Sequence, residues 1–176
     1  MTSSVIFAGF GGQGILFSGK VLATAGLIED KEISWLPSYG PEMRGGTANC
    51  SVIISDTPIG SPIISVPNVV IAMNRPSLDK YIDVAEKDAF VFYDSSLIDE
   101  EVTRKDVKVF PIPATQMAND NGVAGLANMI MLGKMVKESG AVSYDLIMEG
   151  LKKVVSAKHA DKLEKNIKAL DLGYNF

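Results

Sequence analysis

Two glycine-rich turns carry the residues best equipped for chemistry in this chain. The first is Gly9-Phe10-Gly11-Gly12-Gln13-Gly14, which satisfies G-x-G-x-x-G. Glycines so spaced let backbone N–H groups approach an anion at a helix N-terminus, where the macrodipole favours negative charge. The second is Ser38-Tyr39-Gly40-Pro41-Glu42-Met43-Arg44-Gly45-Gly46, where three glycines and a proline fix an irregular path and leave Tyr39, Glu42 and Arg44 free for polar contacts. The first turn alone is weak evidence. A dinucleotide fingerprint also needs an acidic residue about 20 residues on, at the end of the second strand. That place holds Trp35-Leu36-Pro37-Ser38, and Glu29, Asp30 and Glu32 precede the strand. NAD binding is therefore disfavoured. Two readings of the first turn stay open: a phosphate cradle, or a tight turn that allows close helix–sheet packing.

The elements that must hold these turns follow from the hydrophobic pattern. Val5 to Ala8 reads as a strand, and Ile15 to about Glu29 has helical periodicity, so strand, turn and helix open a doubly wound unit. A second strand is expected at Ile33 to Leu36 and a third at Ala48 to Ile54. The connection between them is too short, and lacks the helical pattern, for a parallel crossover, so the third strand should run antiparallel. Further strands read at Val69 to Ala72, Phe90 to Tyr93 and Val107 to Ile112, with a short helix started by Pro76. The spacing predicts a helix over Gly122 to Val136 that is apolar nearly all round and must be covered on more than one side. Ser143 is the expected N-cap of a helix over Tyr144 to Val155, and Leu163, Ile167 and Leu170 form the stripe of a last one. The expected fold class is a three-layer α/β/α arrangement with a mostly parallel, mixed sheet, and residues 1–176 read as a single domain.

Composition removes several function classes. A hydrophobic fraction of 47% is globular, and a net charge of -4 lacks the basic excess of a nucleic-acid binder. Cys50 and His159 are the sole cysteine and histidine, so the chain supplies neither four thiolates for an iron–sulfur cluster nor a structural zinc set, and no metal site is expected. With a single cysteine, no intramolecular disulfide is expected. The start of the chain does not read as a secretory signal, and the longest apolar run is too short to span a bilayer. A cytoplasmic setting without membrane contact is the expectation. Cys50 reads as a small core residue and His159 as a solvated one. The ends of the parallel strands would bring Arg44 and Arg75 to one rim with the glycine turn, a set suited to a phosphorylated ligand.

Taken together, Gly11-Gly12-Gln13-Gly14 and the Tyr39–Gly46 loop resemble the γ subunit of 2-oxoacid:ferredoxin oxidoreductases. Pro62, Ala72-Met73-Asn74 and Asn128-Met129 fit the same family, and the resemblance spans about residues 5 to 135. The wording of the second loop is more similar to the 2-oxoglutarate or branched-chain enzymes than to the pyruvate or indolepyruvate branches. What the resemblance implies is a non-catalytic subunit of an enzyme that decarboxylates a 2-oxoacid, passes the acyl group to coenzyme A and reduces ferredoxin. Thiamine diphosphate and Mg²⁺ would sit on α and β partner subunits, and iron–sulfur clusters on a further partner. This chain would cover the active site. Its implied contacts to coenzyme A, or to the subunit beside it, are Gly11, Gly12, Gln13, Gly14, Tyr39, Glu42, Arg44, Gly45 and Gly46. The competing reading of Glu42 and Arg44 is an ordinary ion pair that fixes the loop. Two other functions stay open on the residues alone: an independent nucleotide- or flavin-binding redox protein, and a ligand-free assembly scaffold.

Overall fold

In the computed structural model, residues 2–38, 48–155 and 159–176 are described. The elements run β1 (Thr2–Gly9), α1 (Ile15–Ile28), β2 (Glu32–Ser38), β3 (Ala48–Ser55), β4 (Val69–Ala72) and α2 (Arg75–Ile82). They continue β5 (Phe90–Asp94), β6 (Lys108–Ile112), α3 (Ala114–Asp120), α4 (Ala127–Ser139), α5 (Tyr144–Val154) and α6 (Ala160–Tyr174). Among the described residues the strands form one six-stranded sheet in the order β2-β3-β1-β4-β5-β6. β3 is antiparallel to both its neighbours, as the short connection requires, and β1, β4, β5 and β6 pair in parallel. β3 lies between β1 and β2, an insertion that the residues of the connection did not announce.

The central strands are buried on both faces, which is why β4 reads Val-Val-Ile-Ala without alternation. On one face Val5, Phe7, Val52, Ile71 and Phe92 pack into the larger core, which α1, α3, α4, α5 and α6 complete. On the other face Val70, Ala72, Val91 and Tyr93 meet Leu78 of α2, with Ala85, Ala89 and Ile98 from the adjoining loops. The fold is thus three-layered and uneven, with α2 alone among the described helices in the second helical layer. α4 is buried along most of its length, from Asn128 to Val136, because it lies between the sheet and α6. Its apolar circumference required that cover. Both outermost strands contain a proline, Pro37 in β2 and Pro111 in β6, as suits strands whose outer edge has no ladder to complete.

Two elements differ from expectation. The helix predicted from Gly122 begins at Ala127, because Gly122 (φ 71°) and Gly125 (φ 83°) take left-handed backbone that ends one helix before the next begins. Ahead of them stands α3, a helix that local periodicity did not suggest. Its start is set from a distance: the buried Asp94 carboxylate accepts from Thr115 N at 3.1 Å and from Thr115 Oγ1 at 2.5 Å. The expected cap of α5 is present, Ser143 Oγ accepting from Leu146 N at 3.3 Å. No helix among the described residues is long and apolar enough to cross a membrane.

Candidate functional site

Register brings the two turns' anchors together. Gly9 is opposite Ala48, and Ser38 is opposite Asn49, so the strand ends that bracket residues 39–47 stand beside the end of β1. Tyr39, Glu42, Arg44, Gly45 and Gly46 themselves lie outside the described residues. The first turn is described in full. Gly11 and Gly12 are exposed, and Gln13 and Gly14 are half-buried.

Gln13 turns back into the fold. Its Oε1 accepts from Phe10 N at 2.6 Å and its Nε2 donates to the Met73 carbonyl at 3.0 Å. The side chain therefore ties the turn to the end of β4. On the helical side, Gly14 takes left-handed backbone (φ 75°) as the N-cap of α1. A Cβ at this position would stand 2.6 Å from Asn128 Nδ2, so the close approach as well as the backbone excludes a larger residue. Asn128 Nδ2 donates to the Gly14 carbonyl at 3.1 Å and to Ser18 Oγ at 2.9 Å, and Ser18 Oγ donates to the Asn128 carbonyl at 3.3 Å. Among the described residues no acceptor meets the N–H groups of Gly11, Gly12 or Gly14. Those donors, next to the positive end of a 14-residue helix, are what an anion needs.

Beside the turn opens a cleft of about 150 Å³ lined by Gly12, Gln13, Met73, Thr115, Ala118, Gly125 and Ala127. Thr115 reaches it because Asp94 fixes the start of α3. The sequence shows the glycines, but Gly125 reads there as part of the helix expected from Gly122, and the contact that sets Thr115 on this wall comes from Asp94. Asn128 was legible only as part of a family resemblance, and its bond to Gly14 spans 114 residues.

Arg75 stands just beyond the end of β4 and is paired with two carboxylates. Its Nε donates to Asp79 at 2.7 Å, and a second guanidinium nitrogen pairs with Glu100. Both carboxylates, Glu100 first, hold its pKa above the ordinary arginine value, and Arg44, the other arginine expected at this rim, lies outside the described residues. Cys50 is fully buried; Trp35 Nε1 donates to its Sγ at 3.0 Å. Burial pushes the thiol up to about 11 despite that bond, which makes it a packed core group, not a nucleophile. His159 is exposed at the N-terminus of α6. Among the described residues no cluster of three or more His, Cys, Asp or Glu side chains suits a metal ion.

Residues 4–176 match the family described as pyruvate ferredoxin/flavodoxin oxidoreductase. The ketoisovalerate oxidoreductase subunit VorA of Methanothermobacter thermautotrophicus is 37% identical over 96% of this chain, but the chain spans only 35% of that protein's length. The 2-oxoglutarate synthase subunit KorC of Methanocaldococcus jannaschii is 33% identical over 99% of this chain and 93% of its own. Among solved structures, the γ subunit of a keto/oxoacid ferredoxin oxidoreductase from Geobacter sulfurreducens superposes with a TM-score of 0.84 at 28% identity, covering 98% of this chain and 96% of that one. The 2-oxoglutarate:ferredoxin oxidoreductase of Magnetococcus marinus, solved with 2-oxoglutarate, coenzyme A and succinyl-CoA bound, gives a TM-score of 0.86 at 25% identity over 99% of this chain and 30% of that one.

Proposed function

Because the chain belongs to the pyruvate ferredoxin/flavodoxin oxidoreductase family, we propose that it is the γ subunit of a 2-oxoacid:ferredoxin oxidoreductase complex. Residues 1–176 act there as one unit. The complex oxidatively decarboxylates a 2-oxoacid to the acyl-CoA and passes the electrons to ferredoxin. This subunit covers the active site and does no chemistry of its own. Thiamine diphosphate and Mg²⁺ belong to α and β partners and the iron–sulfur clusters to a third, in keeping with a sequence that has one cysteine. The setting is cytoplasmic.

The observation that carries this reading is the reciprocal match to KorC, 99% of this chain against 93% of that protein. It also favours 2-oxoglutarate as the substrate. A branched-chain 2-oxoacid is the second reading, favoured by the higher identity of 37% to VorA.

Coenzyme A meets this chain at the glycine turn. The N–H groups of Gly11, Gly12 and Gly14, which meet no acceptor among the described residues, suit one phosphate of its diphosphate, and Tyr39, Glu42, Arg44, Gly45 and Gly46 belong to the loop that completes the contact. The cleft of about 150 Å³ is well below the ~300 Å³ at which pockets hold whole cofactors, so the remainder of the contact falls to that loop and to a partner.

Native purification from the source cell tests the proposal. The expected product is a large complex containing thiamine-diphosphate and iron–sulfur subunits, with coenzyme A-dependent reduction of ferredoxin that is faster with 2-oxoglutarate than with 2-oxoisovalerate. Recovery as a lone 18.9 kDa species would sink the reading.

A further inference from the structure

The glycine turn is held on two sides by side-chain amides, and neither amide is turned outward. Gln13 spends its oxygen on Phe10 N and one N–H on the Met73 carbonyl, which fixes the strand side of the turn. Asn128 spends both N–H groups, on the Gly14 carbonyl and on Ser18 Oγ, which fixes the helix side. The Ser18 hydroxyl closes the set by donating back to the Asn128 carbonyl at 3.3 Å, so the first turns of α1 and α4 are locked reciprocally. Asn128 is only 4% exposed and Ser18 only 1%, which removes both from reach of a bound molecule. The Gly14 carbonyl fixes the orientation of the Asn128 amide, since reversing it would set oxygen against oxygen. Its Oδ1 is thereby left buried without a partner. An unsatisfied buried acceptor is a cost, shared among the described residues with Asn74, Ser77 and Asn166, and here it stands directly against the helix side of the glycine turn.

We infer that Gln13, Asn128 and Ser18 are positioning residues for the diphosphate of a coenzyme A-type ligand. They act by holding the N–H groups of Gly11, Gly12 and Gly14 in place. This rests on the γ-subunit reading above and deepens it. It also changes the role of Gln13, which the motif alone offered as a ligand contact. Binding energy at such a turn depends on donors that need no rearrangement when the anion arrives. Loosening either amide clamp therefore weakens the contact although no ligand-touching atom is removed.

The test uses the assembled complex carrying Gln13→Met, Asn128→Leu or Ser18→Ala, none of which adds a charge. The first two raise the KM for coenzyme A about tenfold, the worth of roughly one hydrogen bond to a charged group, and Ser18→Ala raises it about threefold. The KM for the 2-oxoacid and the mass of the complex stay unchanged. A merely structural role would move both KM values together. Equal changes in both, or an unchanged KM for coenzyme A, would overturn the inference. If Asn128→Leu does not assemble, Gln13→Met and Ser18→Ala decide the question on the same criterion. Absence of coenzyme A-dependent activity in the unmodified complex is a different outcome and counts against the γ-subunit reading itself.

Discussion

Single side chains in this molecule reach far along the sequence, and the effect of removing one depends on what it leaves behind. Asp94 is fully buried and gathers Ser96 N at 3.0 Å, Thr115 N at 3.1 Å and Thr115 Oγ1 at 2.5 Å. Asp94→Ala would orphan those donors and release the start of α3, for a loss on the order of 3 kcal/mol. A urea midpoint within experimental error of the parent would contradict this. Cys50 offers a sharper check. With its thiol pushed up to about 11 under Trp35, it should resist a charged disulfide reagent at pH 8 and react fully in denaturant. Rapid labelling of the folded chain would show that β2 does not cover it as described.

At the level of elements, the closest contact among the helices is that of α4 with α6. A Cβ on Gly133 would strike the Leu170 carbonyl, and one on Gly173 would strike the Ile130 carbonyl, backbone atoms that cannot swing aside. Gly133→Ala and Gly173→Ala are each expected to cost about 1–3 kcal/mol and to free α6 first, read as lost amide-exchange protection in Ala160–Tyr174. Protection lost evenly across the chain would rule out that order. These elements also show how far the residues alone could be read. The alternating and periodic runs announced β1, α1, β4, β5, α5 and α6, and the brevity of one connection announced the reversed β3. Two features depend on contacts between distant segments and left no local mark: α3 is started by Asp94 twenty-one residues earlier in the chain, and Arg75 is claimed by Glu100. The late start of α4 is local, set by the positive φ of Gly122 and Gly125. The candidate site divides in the same way: its glycines are plain in the sequence, while the Asn128 and Met73 groups that hold them come from other elements.

For the molecule as a whole, the two rims of the sheet differ in kind. One gathers the glycine turn and the ends of β2 and β4. The other carries a cleft of about 510 Å³ bordered by Lys31, Asp56, Lys137, Tyr144 and Tyr174. There the Lys31 ammonium, bonded to Asp56, is the largest influence holding that carboxyl down to about 2. A carboxylate depressed in the folded state adds stability above its unfolded value, near 3.9, and loses it as pH falls through the folded one. The gap in Tm between the parent and Lys31→Ala should therefore be constant near neutrality and close as pH drops from about 4 towards about 2. A gap that stayed the same across that interval would deny the linkage. The prolines of the flanking strands have a further consequence. A foreign strand approaching β2, of seven residues, or β6, of five, would find a donor missing on either side. The sheet is thereby discouraged from growing sideways through its backbone, a restraint on uncontrolled polymerisation.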